Sequence, residues 1–127
     1  MRSGQAEAYN KAQCAALTDR ELEAAVLMKA AALMRHAQSQ WASGQRDKLL
    51  EEALRFNQRI WTFFQVSVAD RENKLPEEVK AQVLHLSAYV DRRVFEIMAF
   101  PAADKLTVLI AINTNLAAGL KGSAASS

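Results

Sequence analysis

Two histidines, one cysteine and fourteen carboxylates are the side chains in this 127-residue chain with the chemistry for acid–base, nucleophilic or metal-centred catalysis. Their spacing works against all three. His36 and His85 fall on different predicted helices and neither begins a paired-histidine motif, so a zinc site would need two further ligands that no spacing supplies. Cys14 beside either histidine lacks a third, orienting group and lies in the weakest predicted segment. Glu51 with Glu52, and Glu77 with Glu78, are adjacent and point to different sides of a helix. They are poor acid–base dyads and good solubilising or dipole charges. The four glycines, at positions 4, 44, 119 and 122, never cluster before a helix as a phosphate loop requires. The reading is no catalytic residue, no metal and no cofactor.

One aromatic cluster suggests a different chemistry. Phe56, Trp61, Phe63 and Phe64 are interleaved with Arg55 and Arg59, the composition of a surface that stacks unpaired bases and holds phosphates. On a helix, however, both arginines lie on the side opposite Trp61, so the aromatics read as core. The net charge is only +2, and the charges mostly alternate in sign, as in Asp70, Arg71, Glu72, Lys74. No basic stripe marks a nucleic-acid face, and a nucleic-acid partner is not expected.

More informative are two polar residues in apolar company. With Asp47 to Val68 helical at about 100° per residue, Leu49, Leu50, Ala53, Leu54, Phe56, Ile60, Trp61, Phe63, Phe64 and Val68 fill roughly half the circumference. Asn57 falls near the middle of that arc. Leu106, Leu109, Ile110, Leu116, Ala117 and Leu120 surround Asn113 in the same way. An unpartnered buried amide costs about 1–3 kcal/mol, so packing alone would have placed Leu at both positions. Asn57 and Asn113 are expected to point inward and share one polar network, their two helices packed closely, with Trp61 as a large buried anchor. The competing reading puts them at a groove floor, meeting a partner's backbone.

The elements that position these residues are all helical. Ala, Leu, Glu, Gln, Arg and Lys dominate, Gly and Pro are scarce, and no alternating period is long enough for a strand. Gln5 to Leu17, with Ala8, Ala12 and Ala15 on one face and Tyr9 as its large anchor, is a weak helix that needs a partner. Thr18 and Glu21 form a capping box, behind which Leu22, Val26, Ala30, Leu33 and Ala37 keep a helical period as far as Trp41. Ser43 and Gly44 break it before the Asn57 helix, which the polar run from Asp70 to Lys74 ends. Pro76 opens the next helix at its first position, with Glu77 and Glu78 favouring the dipole; Val79, Val83, Leu86, Val90, Val94 and Ile97 form its seam. Asp104 caps a last helix from Lys105 to about Leu120, where Gly119 or Gly122 supplies the turn. The fold class is therefore all-α: an antiparallel bundle of four main helices plus a looser N-terminal helix. It is a single domain over residues 1–120, with a flexible tail at 121–127.

The Pro76 helix also carries a second apolar patch away from its seam: Leu84, Ala88 and Phe95, on a face shared with Ala81 and Asp91. Leu84, Ala88, Asp91 and Phe95 are the candidate partner-binding residues, forming a groove for an amphipathic segment; the competing reading has Leu84 and Phe95 meeting the N-terminal helix. A lone cysteine, no signal-peptide pattern and no apolar run of membrane length place the protein in the cytoplasm, with no membrane partner.

Several short motifs, in order and correctly spaced, carry a resemblance. Phe56-Asn57-Gln58-Arg59-Ile60-Trp61, Asn73-Lys74-Leu75-Pro76, Leu86-Ser87-Ala88-Tyr89-Val90-Asp91, and Leu109 to Asn113 with Ala117, Gly119 and Leu120 resemble the FlaF family of alphaproteobacterial flagellar biosynthesis regulators. The likeness runs from about Tyr9 to Leu120 and includes Ala8 with Tyr9 and Arg20 with Glu21. This chain departs at Ala111 and Thr114, where the family often has an acidic residue and an arginine. The resemblance implies a non-enzymatic role in flagellin synthesis and export, beside the translational regulator FlbT. Flagellin is the expected partner of a chaperone-like factor, with FlbT a further candidate; the alternative is a post-transcriptional regulator acting on flagellin mRNA directly or through FlbT.

Overall fold

The computed structural model describes residues 19–126, and all of its regular elements are helical. Helix α1 spans Asp19–Ser39, α2 Arg46–Ala69, α3 Glu77–Ala99 and α4 Leu106–Ser126, the last preceded by a 3-10 turn at Ala103–Lys105. The expected N-terminal helix, with Tyr9, Cys14 and the capping residue Thr18, lies outside the described residues.

Each boundary has a local cause. Asp19 and Glu21 place negative charge in the first turn of α1, where the helix dipole favours it. Between α1 and α2, Ser43 N donates to the Gln40 carbonyl at 2.9 Å, and Trp41 lies half-buried under the Arg46 guanidinium, 5.3 Å from its ring centre. After α2, Asn73 organises the turn: its Nδ2 donates to the Ser67 carbonyl at 3.0 Å and to Ser67 Oγ at 2.9 Å. Its Oδ1 accepts from Leu75 N at 2.9 Å. This delivers Leu75 into the core and Pro76 to the N-cap of α3, one place before the first helical position expected for it.

The core is one contiguous cluster, and α1 is its centre. The face α1 turns inward is carried by Leu27, Met34 and four alanines. Ala24, Leu27, Ala30, Ala31, Met34 and Ala37 are fully buried, whereas Leu22 is 37% exposed and Val26 and Leu33 sit at the rim. Short side chains let another backbone come close, and the contact of α1 with α4 is the most extensive in the molecule. Gln38 fastens it at one end, its Nε2 donating to the Ala103 carbonyl at 2.9 Å and to Thr107 Oγ1 at 3.0 Å. Next come α1 with α2 and α2 with α3; α3 and α4 touch only slightly.

Other expectations are also revised. Phe63, expected in the core, is 54% exposed. Asp104 lies inside the 3-10 turn and caps nothing through its side chain. Helix α4 does not stop at Leu120 but continues through Ser126, with Gly119 and Gly122 inside it and no described glycine at positive φ. Helices α2 and α4, expected to pack closely, scarcely meet through their backbones; α1 lies against both.

Candidate functional site

The two asparagines meet across that gap through their side chains. Asn113 Nδ2 donates to Asn57 Oδ1 at 2.7 Å and reaches the Leu27 carbonyl at 3.5 Å, while Trp61 Nε1 donates to Asn113 Oδ1 at 3.0 Å. All three side chains are fully buried. Asn113 is thus engaged through both its oxygen and its nitrogen. Asn57 is engaged through its oxygen only, and its Nδ2 has no partner. Joining α1, α2 and α4, the cluster fixes their register, because any slip would strand several buried polar atoms at about 1–3 kcal/mol each. With all three side chains fully buried, it has no surface to offer a partner.

The surface carries the opposite arrangement. Leu84, Ala88, Asp91 and Phe95 lie along one exposed face of α3 at helical spacing. Phe95 is 77% exposed, and the apolar run continues past it to exposed Met98 and Phe100. Beside this face the α2–α3 seam is held by Gln65, whose Nε2 donates to Ser87 Oγ and, at 3.3 Å, to Asp91 Oδ2. Asp91 therefore helps anchor the scaffold from which Leu84 and Phe95 project. At the C-terminal end of α3, Lys105 Nζ donates to the Phe100 carbonyl at 2.8 Å and satisfies one of the helix's last carbonyls. Met98 and Phe100 were not singled out from the sequence. Met98 follows Phe95 by three positions, so extending the same face by one turn would have found it.

Two apolar grooves complete the surface. One, between α1 and α2, is lined by Leu22, Val26, Phe56, Ile60 and Phe63, with Arg59 on its edge and a volume of about 330 Å³. Lys29 Nζ stands 5.1 Å from the centre of the Phe56 ring. The other lies between α3 and α4, where Leu75, Val79 and Leu86 face Ile112, Leu116 and Leu120 around a volume of about 370 Å³. Among the described residues no three His, Cys, Asp or Glu side chains converge as metal ligands would. His36 and His85 are both exposed and on different helices. No described helix is long and apolar enough to cross a membrane.

Fold and surface together define an all-helical protein whose polar cluster is sealed inside and whose apolar side chains are displayed outside. Residues 5–120 match the family described as Flagellar protein FlaF, and the chain belongs to that family. No curated protein and no solved structure matches the chain.

Proposed function

We propose that this chain is a non-enzymatic flagellar factor of the cytoplasm that binds flagellin in a chaperone-like manner and supports its synthesis and export. The observation that carries the reading is the α3 face. Leu84, Phe95 and Met98, with Phe100 at the C-cap, hold large apolar side chains in water on a helix whose opposite face is already buried. A run of this kind suits the apolar side of an amphipathic helix laid across it, and membership of a flagellar family makes a flagellin segment the natural occupant. Calorimetric titration of purified flagellin, with a pull-down, should give a stoichiometric complex that Phe95→Asp abolishes. Absence of binding at concentrations of tens of micromolar would end the reading.

A second reading rests on Phe63, which is exposed beside Arg59 where a nucleobase could stack. On it the protein acts on flagellin mRNA directly or through FlbT. Electrostatic binding to RNA weakens steeply as salt rises, whereas an apolar protein complex is nearly indifferent. A salt series on whichever complex forms separates the two. A stable complex with FlbT that ignores flagellin would favour the indirect route.

A further inference from the structure

Helix α2 turns two different stripes away from the core. Phe56, Ile60 and Phe63, at helical spacing, face Leu22 and Val26 of α1 across the apolar groove, and Val66 extends that line, exposed, toward the end of the helix. Beside it run Arg55, Gln58, Arg59 and Thr62, which with Asp91 of α3 enclose a shallow polar hollow. Arg59 belongs to both, standing where hydrocarbon gives way to hydrogen-bond donors. A surface built this way is one half of an amphipathic contact. The apolar slot takes a ridge of side chains, and the charges beside it select what flanks that ridge.

Those charges fix the sign of the partner. Glu23, the carboxylate in the groove lining, is held by Arg20 Nη1 at 2.6 Å. In the hollow Arg55 pairs with Glu51 at 2.6 Å, and Asp91 accepts from Gln65. Glu52 is exposed one turn before Phe56, outside the lining. Arg59, by contrast, makes no hydrogen bond or ion pair among the described residues. Lys29 Nζ lies over the Phe56 ring, the first α2 side chain of the lining, and has no carboxylate partner there either. Two uncompensated cations therefore border the slot, one at its edge and one at its end. Carboxylates beside an apolar ridge would pair with them, whereas a basic helix would set like charge against like. An RNA strand fits less well, since it would meet Asp91 and Glu51 along the hollow and find Lys29 already over Phe56.

We propose that the α1–α2 groove binds an amphipathic helix of a partner protein whose apolar ridge is flanked by glutamate or aspartate, a carboxylate closing on Arg59. The site uses none of Leu84, Phe95 and Met98, so it stands or falls apart from flagellin binding at the α3 face. The probes are fluorescent, stapled helical peptides with leucines at i, i+3, i+4 and i+7 and glutamates along one flank or the other, each with a glutamine and a lysine version. They are titrated by anisotropy into the full chain. At least one glutamate peptide should bind at about 100 μM or below, and its lysine version at least about tenfold more weakly. Rising salt should weaken the glutamate peptide and leave the glutamine one nearly unchanged. Arg59→Glu should invert the preference between glutamate and lysine, Phe63→Ser should weaken both peptides at least about tenfold, and Phe95→Asp should change neither. Arg59 and Phe63 are exposed, so both variants should melt with the parent. Equal affinity for glutamate and lysine peptides, or no binding at about 1 mM, would overturn the proposal. So would a single-stranded RNA that binds more tightly than every peptide and is released by Arg59→Glu. A dimer in sedimentation that Phe63→Ser dissolves would make a second copy the occupant and overturn it as well.

Discussion

The Asn57–Asn113 cluster and the Leu84–Phe95 face break the same rule in opposite directions, one burying amides and the other exposing hydrocarbon. Inside, the breach is answered within the chain: Trp61, Asn113, Asn57 and the Leu27 carbonyl partner one another, and one donor, Asn57 Nδ2, is left over. On the surface Phe95, Met98 and Phe100 stay mostly exposed. A polar group buried without partners costs stability at once, whereas an exposed apolar one costs little until a partner arrives. The first region accordingly reads as architecture, and the second is the face to which the proposed function assigns binding.

Substitutions can separate the two. Trp61→Ala should have the largest effect, about 3–5 kcal/mol in denaturant unfolding, because it empties the volume of the largest core side chain and strips Asn113 Oδ1 of its donor. Asn113→Leu comes next, since it leaves both Trp61 Nε1 and Asn57 Oδ1 unpaired at about 1–3 kcal/mol each. Asn57→Leu should cost less than Asn113→Leu, because it removes the one orphaned donor along with the acceptor. With both leucines present, a coupling of about 0.5–3 kcal/mol should appear in a double-mutant cycle; strict additivity would mean that the amides do not act together. Phe95→Asp should be nearly silent in stability, within about 0.5 kcal/mol. It should nonetheless weaken flagellin at least about tenfold, or about 1.4 kcal/mol. A clear loss of stability in Phe95→Asp would move that residue into the architectural class and erase the contrast.

What was legible in the sequence depended on the size of the side chains. The broad arc around Asn57 carries Leu54, Ile60, Trp61 and Phe64, a periodic signal strong enough to place α2 within a residue at either end. In α1 the helical period drawn through Leu22, Val26, Ala30, Leu33 and Ala37 holds, but of these only the two alanines are fully buried. Leu22, Val26 and Leu33 draw the eye, while the buried face is made largely of alanine, whose weight in any hydrophobic pattern is small. Alanine goes inward there because α4 comes so close, a tertiary fact with little local trace. Phe63 was misplaced for a related reason: it falls inside the apolar arc, but the arc is wider than the surface α1 and α3 cover, so its margin meets solvent beside Arg59. The stop at Leu120 was inferred from glycine, which ends a helix when it takes a left-handed turn; Gly119 and Gly122 take none. The Leu84, Ala88, Asp91 and Phe95 face was legible because helical spacing alone defines it. Gln65's hold on Asp91 was not, since it joins two helices.

The closeness of α1 to α4 also sets an order in time. Helix α1 is the first described element to be synthesised, and its principal neighbour is the last. At roughly 5–20 residues per second, several seconds separate the emergence of Ser39 from that of Leu106. Through that interval Ala24, Ala31 and the amide of Asn57 have no α4 to close over them. The nascent domain can be zipped along α1, α2 and α3, yet its polar latch is thrown only when Asn113 has left the ribosome.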